Sequence, residues 1–497
     1  VTTRALIAAG GATVVLWTVS LLLPRDFLVG QFVDDAHYAV LAKAVREGRG
    51  YHTINLPDAP AETKYPPGFP LLLSALWDSE RPDRENLDRL RWANLILVGP
   101  LAGALTLFAV EVLGLPALLA GMLAVAGLAA PGVLALWTIP LSGPLFLLLA
   151  ILGLTLAAAE RPGWAMTVLM GAVYVRTVAV AFLLGVVSQA RRARRPGWKR
   201  DGVVAVAGVL PWVAWQAWHA GAVPAFLRGM YGSYGRWYLD SLIADPVTVL
   251  FRVPARNAIE ILSGLGGLLL DVSGIPVTMK FGAGALLVWG LWRMRRRAPG
   301  LAIGLALYGG IVLLWPFPPG RFLAAIWPVV LIAVAASIGR FARGALVALA
   351  VAVAALGLMT GRGLRQHEAR GRAGRALVAR LTGEIGPHAV LASTNPAFHY
   401  LWFGVPSVPV QRMRSYRWYR LGFWSTAWGL ADDLWPIVDR YGVTHVVVEA
   451  RGVEGRYAAG SLQGRCPGVL IPRWEVDRTL LFRVDGSKPC RPPPSVR

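Results

Sequence analysis

The chain has 497 residues, a net charge of +22 and 55% hydrophobic residues, but only 16% charged residues. A soluble globular protein carries about a quarter charged residues; here a mean hydropathy of +0.52 comes from apolar blocks that exceed the ~18 residues marking a transmembrane helix, which excludes an ordinary soluble chain. The positive charge does not point to nucleic acid, because the clusters at 191–200 (RRARRPGWKR), 292–297 (WRMRRR) and Arg340 with Arg343 border apolar spans, and no nucleic-acid signature accompanies them.

In chain order, Arg4 precedes an apolar run from Ala5 to Leu23 that ends in Pro24-Arg25-Asp26. No small-residue cleavage site follows, so the run reads as an uncleaved signal anchor with its N-terminus inside. Residues 24–90 are polar, acid-rich and too long for a turn between spans. They include an amphipathic helix from Ala36 to Glu47 and an apolar run from Phe69 to Trp77, too short to cross a membrane and suited to its interface. Further spans are expected at about 91–110, 115–131, 141–158, 163–175, 177–190, 201–219, 279–293, 300–316, 322–338 and 344–360. The short pair around Arg176 reads as a hairpin of half-length or tilted helices.

This count makes about eleven spans and places the three basic clusters on the cytoplasmic side. The loop at 24–90, the loop at 220–278 and the C-terminal end then fall outside. Arg362, Arg365, Arg370, Arg372 and Arg375 run against the rule, lying just outside. From about 376 the pattern becomes short strands, HAVLAST, SVPV, THVVVEA and TLLFRV, with an amphipathic helix from Leu430 to Tyr441. The expected fold is therefore an α-helical polytopic membrane domain, residues 1–360, followed by a small extracytoplasmic α/β domain, residues 361–497. Cys466 and Cys490 are placed either for a disulfide in an oxidising compartment or as two free thiols.

Four positions carry chemistry. Asp34 and Asp35, in DDAHY, follow the first span directly. Adjacent carboxylates at a membrane edge repel each other, so one can be held as a base while the other is engaged by a cation or hydrogen bonds; the bland reading is a helix N-cap. Lys64 opens KYPPGFP, where two prolines and a glycine make a rigid turn toward the interfacial run; the bland reading is a snorkelling lysine. Arg176 stands alone in GAVYVRTVAVAF, and a charge at a helix centre in the membrane costs ~2.5–3.5 kcal/mol on insertion scales, so it is either functional or a polar turn residue. Arg321 lies in WPFPPGRFLAAIWP, at the mouth of a late span; arginine binds phosphate bidentately and stays charged. One carboxylate pair and three cations on one membrane face suit transfer of a group from a membrane-bound phosphate.

These motifs resemble the GT-C superfamily of membrane glycosyltransferases, particularly the bacterial branch of protein O-mannosyltransferases and lipid A aminoarabinose transferases. The likeness rests on DDAHY opening the first external loop, KYPPGFPLLLSALW after it, an arginine in a short mid-chain hairpin, and RFLAAIWP as an Arg-Tyr-Leu-like motif at the start of a late span. It runs in order over roughly residues 5–360. The chain departs from the family pattern in lacking an acidic residue near Pro140–Phe146, and in carrying Phe322 for tyrosine and Ala325 for proline.

The resemblance implies an inverting transferase of the inner (plasma) membrane, using a polyprenyl-phosphate sugar donor and a lipid, glycan or protein acceptor on the outer face. Asp34 would be the general base, and Asp35 would position it or help bind an acceptor or cation. Lys64, Arg176 and Arg321 would hold the phosphate, with His37, Tyr38 and Tyr65 as substrate contacts. No cofactor is assigned; a divalent cation is left open, since Asp35 and His37 could contribute ligands without completing a set. The competing readings are a transporter or flippase of lipid-linked sugars, and a non-catalytic relative that binds one. Transport predicts a midplane site; the transferase predicts that Asp34, Arg176 and Arg321 meet in one external cavity.

Overall fold

The computed structural model describes residues 1–23, 27–361, 364–410, 427–449, 464, 467–476 and 479–486. Its chain begins with α1, Thr3–Leu22, capped by Thr2, whose hydroxyl accepts from the Ala5 amide. The first loop then contributes α2, Asp34–Arg46, α3, Gly68–Ser74, and α4, Asp83–Leu90. Next come α5, Trp92–Glu111, and the pair α6, Ala117–Ala129, and α7, Pro131–Trp137, bent by 71°. The bend falls where Pro131 begins a new helix, a position at which its missing N–H costs nothing. They are followed by α8, Gly143–Ala158, α9, Pro162–Val175, α10, Val180–Arg192, and α11, Trp198–Trp218.

Residues 220–278, expected as a loop, hold more structure than that. After two short helices, α12, Arg228–Tyr231, and α13, Tyr234–Ala244, a full helix α14 runs over Val253–Leu269 and packs along α15, Val277–Met294. Glu260, Ser263 and three glycines break up the apolar run and hide it in the sequence. The glycines have a packing role: a Cβ on Gly266 or Gly284 would strike the backbone of the opposite helix at Lys280 or Leu262.

The bundle closes with α16, Pro299–Leu313, α17, Gly320–Ser337, and α18, Arg340–Thr360. α17 is its centre, since every residue from Phe322 to Ser337 is buried. Among the described residues, four helical runs are long and apolar enough to cross a membrane: Thr3–Leu22, Asp83–Glu111, Gly320–Ser337 and Arg340–Thr382. The bent pair makes a fifth when taken as one span, and α8, α9 and α16 are shorter apolar helices. The chain is an integral membrane protein with at least four apolar spans; length and composition alone do not carry the count to eleven.

The arginine-rich stretch after α18 is a separate amphipathic helix, α19, Leu364–Thr382. The C-terminal portion adds α20, Pro396–Phe403, α21, Ala427–Tyr441, and strands β1, Leu391–Ser393, β2, Ser407–Pro409, β3, His445–Glu449, β4, Leu470–Val476, and β5, Thr479–Val484. They form one sheet in the order β2-β1-β3-β5-β4, parallel across β2, β1 and β3 and antiparallel beyond. β4 was not visible in the sequence because Pro472 interrupts it. At the sheet edge a proline is tolerated, and the pairing with β5 is irregular just there. Cys466 and Cys490 lie outside the described residues.

This portion is built onto the first loop. Asn395 Nδ2 donates to the Gly30 carbonyl at 2.8 Å and Trp402 Nε1 to that of Val29 at 3.1 Å. Asn55 and Ser407 bond to each other twice, through the Ser407 amide and the Asn55 side chain. Phe398 and Leu401 of α20 belong to the same apolar core as α2 and the bundle. The first loop and the sheet are therefore packed directly against each other.

Candidate active site

The turn before α2 sets which carboxylate is available. Asp35 is buried, and both its oxygens accept backbone N–H groups: Oδ2 from Gly30 at 2.6 Å, Oδ1 from Phe32 at 2.9 Å and from Ala36 at 3.0 Å. Gly30 at φ +103° and Val33 at φ 72° make the tight turn. Asp35 thus ties down residues 30–36, and Asp34, one residue earlier on the helix, points the other way. Burial pushes Asp35 up to about 7 although the three amides pull its pKa down. Neither carboxylate is an N-cap by side-chain bond; Val33 holds that position, without one.

Asp34 meets two partners. Arg321 Nη1 lies 2.8 Å from its Oδ2, and the Tyr65 hydroxyl donates to its Oδ1 at 2.9 Å. Burial alone would raise the Asp34 pKa; the Arg321 guanidinium and the Tyr65 hydrogen bond outweigh it and hold the carboxyl below its ordinary value. Arg321 is the second residue of α17, so the central helix of the bundle carries the counter-ion of the loop carboxylate.

Arg176 sits between α9 and α10, in an extended conformation that breaks the two helices apart. Its guanidinium lies 5.1 Å from the Phe322 ring and 5.7 Å from the Phe146 ring, a cation–π clamp that positions it. Among the described residues no carboxylate pairs with it. The Pro-Pro-Gly turn is packed against this hairpin: a Cβ on Gly68 would lie 2.8 Å from the Tyr174 carbonyl oxygen. Only glycine lets the first loop approach that closely.

Asp34, Arg176 and Arg321 line one cavity, together with Tyr38, Trp137 and Ser142. Apolar side chains including Val133, Leu141 and Pro144 make the rest of its wall. The Tyr38 hydroxyl and Ser142 Oγ are 3.0 Å apart and satisfy each other. Ser142 thus stands where the family pattern led to expect an acid. Asn94 of α5 holds this corner by donating to the carbonyls of Ile139 and Leu141.

Lys64, Asp35, His37 and Tyr65 do not line the cavity. Lys64 is buried behind Tyr65, donating to the Met230 carbonyl at 2.8 Å and lying 4.6 Å over the Tyr234 ring. Burial brings its pKa down to about 8, against the pull of Asp34 and Glu62. His37 stacks on Tyr65 at 5.6 Å, and burial, reinforced by Lys64, lowers it to about 4, so it is neutral at physiological pH.

Sequence reasoning passed over Glu62, whose carboxylate accepts from the amides of Lys64 and Tyr65 and from Thr53 Oγ1 and so shapes the turn that presents Tyr65. Its spacing two residues before Lys64 was the available signal. Trp137 was hidden for another reason: nothing local distinguishes it among twenty tryptophans. Among the described residues no three His, Cys, Asp or Glu side chains gather as a metal site.

Neither a family model nor a curated protein matches the sequence. Solved structures do match. The crystal structure of ArnT from Cupriavidus metallidurans bound to undecaprenyl phosphate is 15% identical, covering 98% of this chain and 99% of that one, with a TM-score of 0.50. The apo form of the same protein is also 15% identical, over 97% of this chain and 98% of that one, with a TM-score of 0.49. The likeness extends over the membrane portion and the C-terminal sheet alike. In fold, the chain is similar to ArnT over nearly its whole length.

Proposed function

We propose that this protein is an inverting glycosyltransferase that moves a sugar from a polyprenyl-phosphate donor to an acceptor at the extracytoplasmic face of the inner membrane. The observation that carries the reading is the convergence of Asp34, Arg176 and Arg321 on one cavity beside the first loop. The fold it shares with ArnT, which has been crystallised with undecaprenyl phosphate, supports the choice of carrier. Residues 1–360 would form the catalytic unit and 361–497 an extracytoplasmic domain bound to its first loop.

In this mechanism the acceptor hydroxyl attacks the anomeric carbon from the face opposite the phosphate. Asp34 takes the hydroxyl proton as the new C–O bond forms, and the bond to the phosphate oxygen breaks with its electron pair. Polyprenyl phosphate is a good leaving group and needs no strong general acid. Arg176 and Arg321 hold the phosphate as its charge grows, a stabilisation worth most in a water-poor site. Lys64 adds positive potential from behind Tyr65, and Asp35 fixes the turn that presents Asp34. A transporter would not need a carboxylate presented in this way to a cationic cavity.

The test is direct. Purified protein is offered a panel of radiolabelled polyprenyl-phosphate sugars with membrane lipid, glycan and protein fractions as acceptors. Transfer of label from one donor with release of polyprenyl phosphate is the expected result. Binding of donor without transfer or hydrolysis under any condition would favour a non-catalytic relative instead.

A further inference from the structure

The cavity's polar groups divide into satisfied and unsatisfied ones. Asp34 is paired with Arg321 and Tyr65, and Tyr38 with Ser142. Two groups are left over. Arg176 has only its two aromatic rings and no carboxylate among the described residues. Trp137, 3% exposed, lines the same cavity, and its buried Nε1 has no hydrogen-bond partner. A buried indole N–H normally finds an acceptor, because a donor left without one has lost its water without replacement.

Both unsatisfied groups are donor-only. Indole has one N–H and no acceptor, and guanidinium has five N–H groups and no acceptor. A sugar hydroxyl can donate as well as accept, and gains nothing special from such a pair. An oxyanion, which only accepts, matches both at once. Trp137 ends α7, the short arm after the 71° bend, so the bend brings this donor to the cavity wall.

Resting on the transferase reading above, we infer that the Trp137 indole N–H and the Arg176 guanidinium together form the ground-state site for the phosphate oxygens of the lipid donor. Arg321 then stays with Asp34 until charge develops on the leaving phosphate. Trp137 is in this account a phosphate-binding residue, not a packing residue.

The test uses full-length protein in nanodiscs and three probes: undecaprenyl phosphate, undecaprenol and inorganic phosphate. Trp137→Phe keeps the aromatic bulk and removes the N–H. A hydrogen bond to a charged group is worth ~1.5–3 kcal/mol, so the variant should bind undecaprenyl phosphate ~10–100-fold more weakly. Undecaprenol binding should be unchanged. Inorganic phosphate should compete weakly with the lipid in wild type and more weakly still in the variant.

The melting temperature without ligand distinguishes this from a structural role. Removing an unsatisfied donor should leave it unchanged or raised, whereas removing a structural hydrogen bond would lower it. Equal binding of undecaprenyl phosphate by wild type and Trp137→Phe would overturn the inference alone. If wild type binds undecaprenyl phosphate no better than undecaprenol, the transferase reading fails and the inference fails with it. Arg176→Gln provides the second arm: it should lose phosphate-dependent binding while retaining that of undecaprenol, and retention of phosphate-dependent binding would also overturn the inference.

Discussion

Asp34 and Arg321 are joined by a 2.8 Å contact between the first loop and the central helix of the bundle. Burial raises the pKa of the Asp34 carboxyl, and the Arg321 guanidinium helps to hold it below its ordinary value. Any change at Arg321 is therefore felt at Asp34.

Asp34→Asn should abolish transfer while leaving donor binding in place. Asn has nearly the same shape and can accept from Tyr65, but it cannot take a proton. A general base contributes ~10²–10⁴-fold in rate, and turnover should fall by that much. Steady-state assays with the donor found in the panel, alongside binding of undecaprenyl phosphate, check it. Near-normal turnover would show that the base lies elsewhere.

Tyr65→Phe should shift the pH profile without abolishing activity. The Tyr65 hydroxyl donates to Asp34 and lowers its pKa. Asp34 must be ionised to act, so losing the bond moves the acid limb of kcat to higher pH. An unshifted acid limb would separate Tyr65 from the base.

Arg321→Ala should lower turnover far more than donor affinity, because it removes the cation that meets the developing phosphate charge and the counter-ion from Asp34. Loss of one preorganised donor to a developing oxyanion typically costs ~10²–10³-fold in kcat. Arg321→Lys should recover part of the loss, since it restores charge but not the bidentate geometry. A change confined to KM would place Arg321 in donor binding only.

Lys64 sets an alkaline limit. Burial brings its pKa down to about 8, so it is cationic below that pH and loses its charge as pH rises through it. Donor KM should therefore rise above about pH 8 while kcat changes less. In Lys64→Arg, which stays charged, that rise should disappear. A wild-type profile flat to pH 10 would show that the Lys64 charge does not act on the donor.

Topology gives a test independent of catalysis. The hydrogen bonds between Asn55 and Ser407, and between Asn395 and Gly30, require the first loop and the sheet to share a compartment. Alkaline phosphatase inserted after Arg81 or fused after Gly386 should be active at both positions. Activity at neither would keep the fold and reverse its orientation. Activity at only one would contradict the packing itself.

The sequence by itself determined the membrane class, the acid-rich first loop, the mixed strand-and-helix C-terminal end and the residue types of the candidate site. These are properties of composition and near neighbours, and hydropathy or turn chemistry reads them directly. Helix 253–269 escaped because its close packing on α15 requires glycines, which thin the apolar signal, and β4 escaped because an edge strand tolerates Pro472. Only the tertiary structure decided between Asp34 and Asp35. Successive residues on a helix are turned by about 100°, so a single step sends one carboxylate to the backbone amides of residues 30–36 and the other to Arg321. Only the tertiary structure brought Trp137 and Arg176 to one wall, through a bend and a helix break whose directions depend on what the bundle packs against them. Whether a donor is satisfied is a property of its surroundings, and those surroundings come from distant parts of the chain.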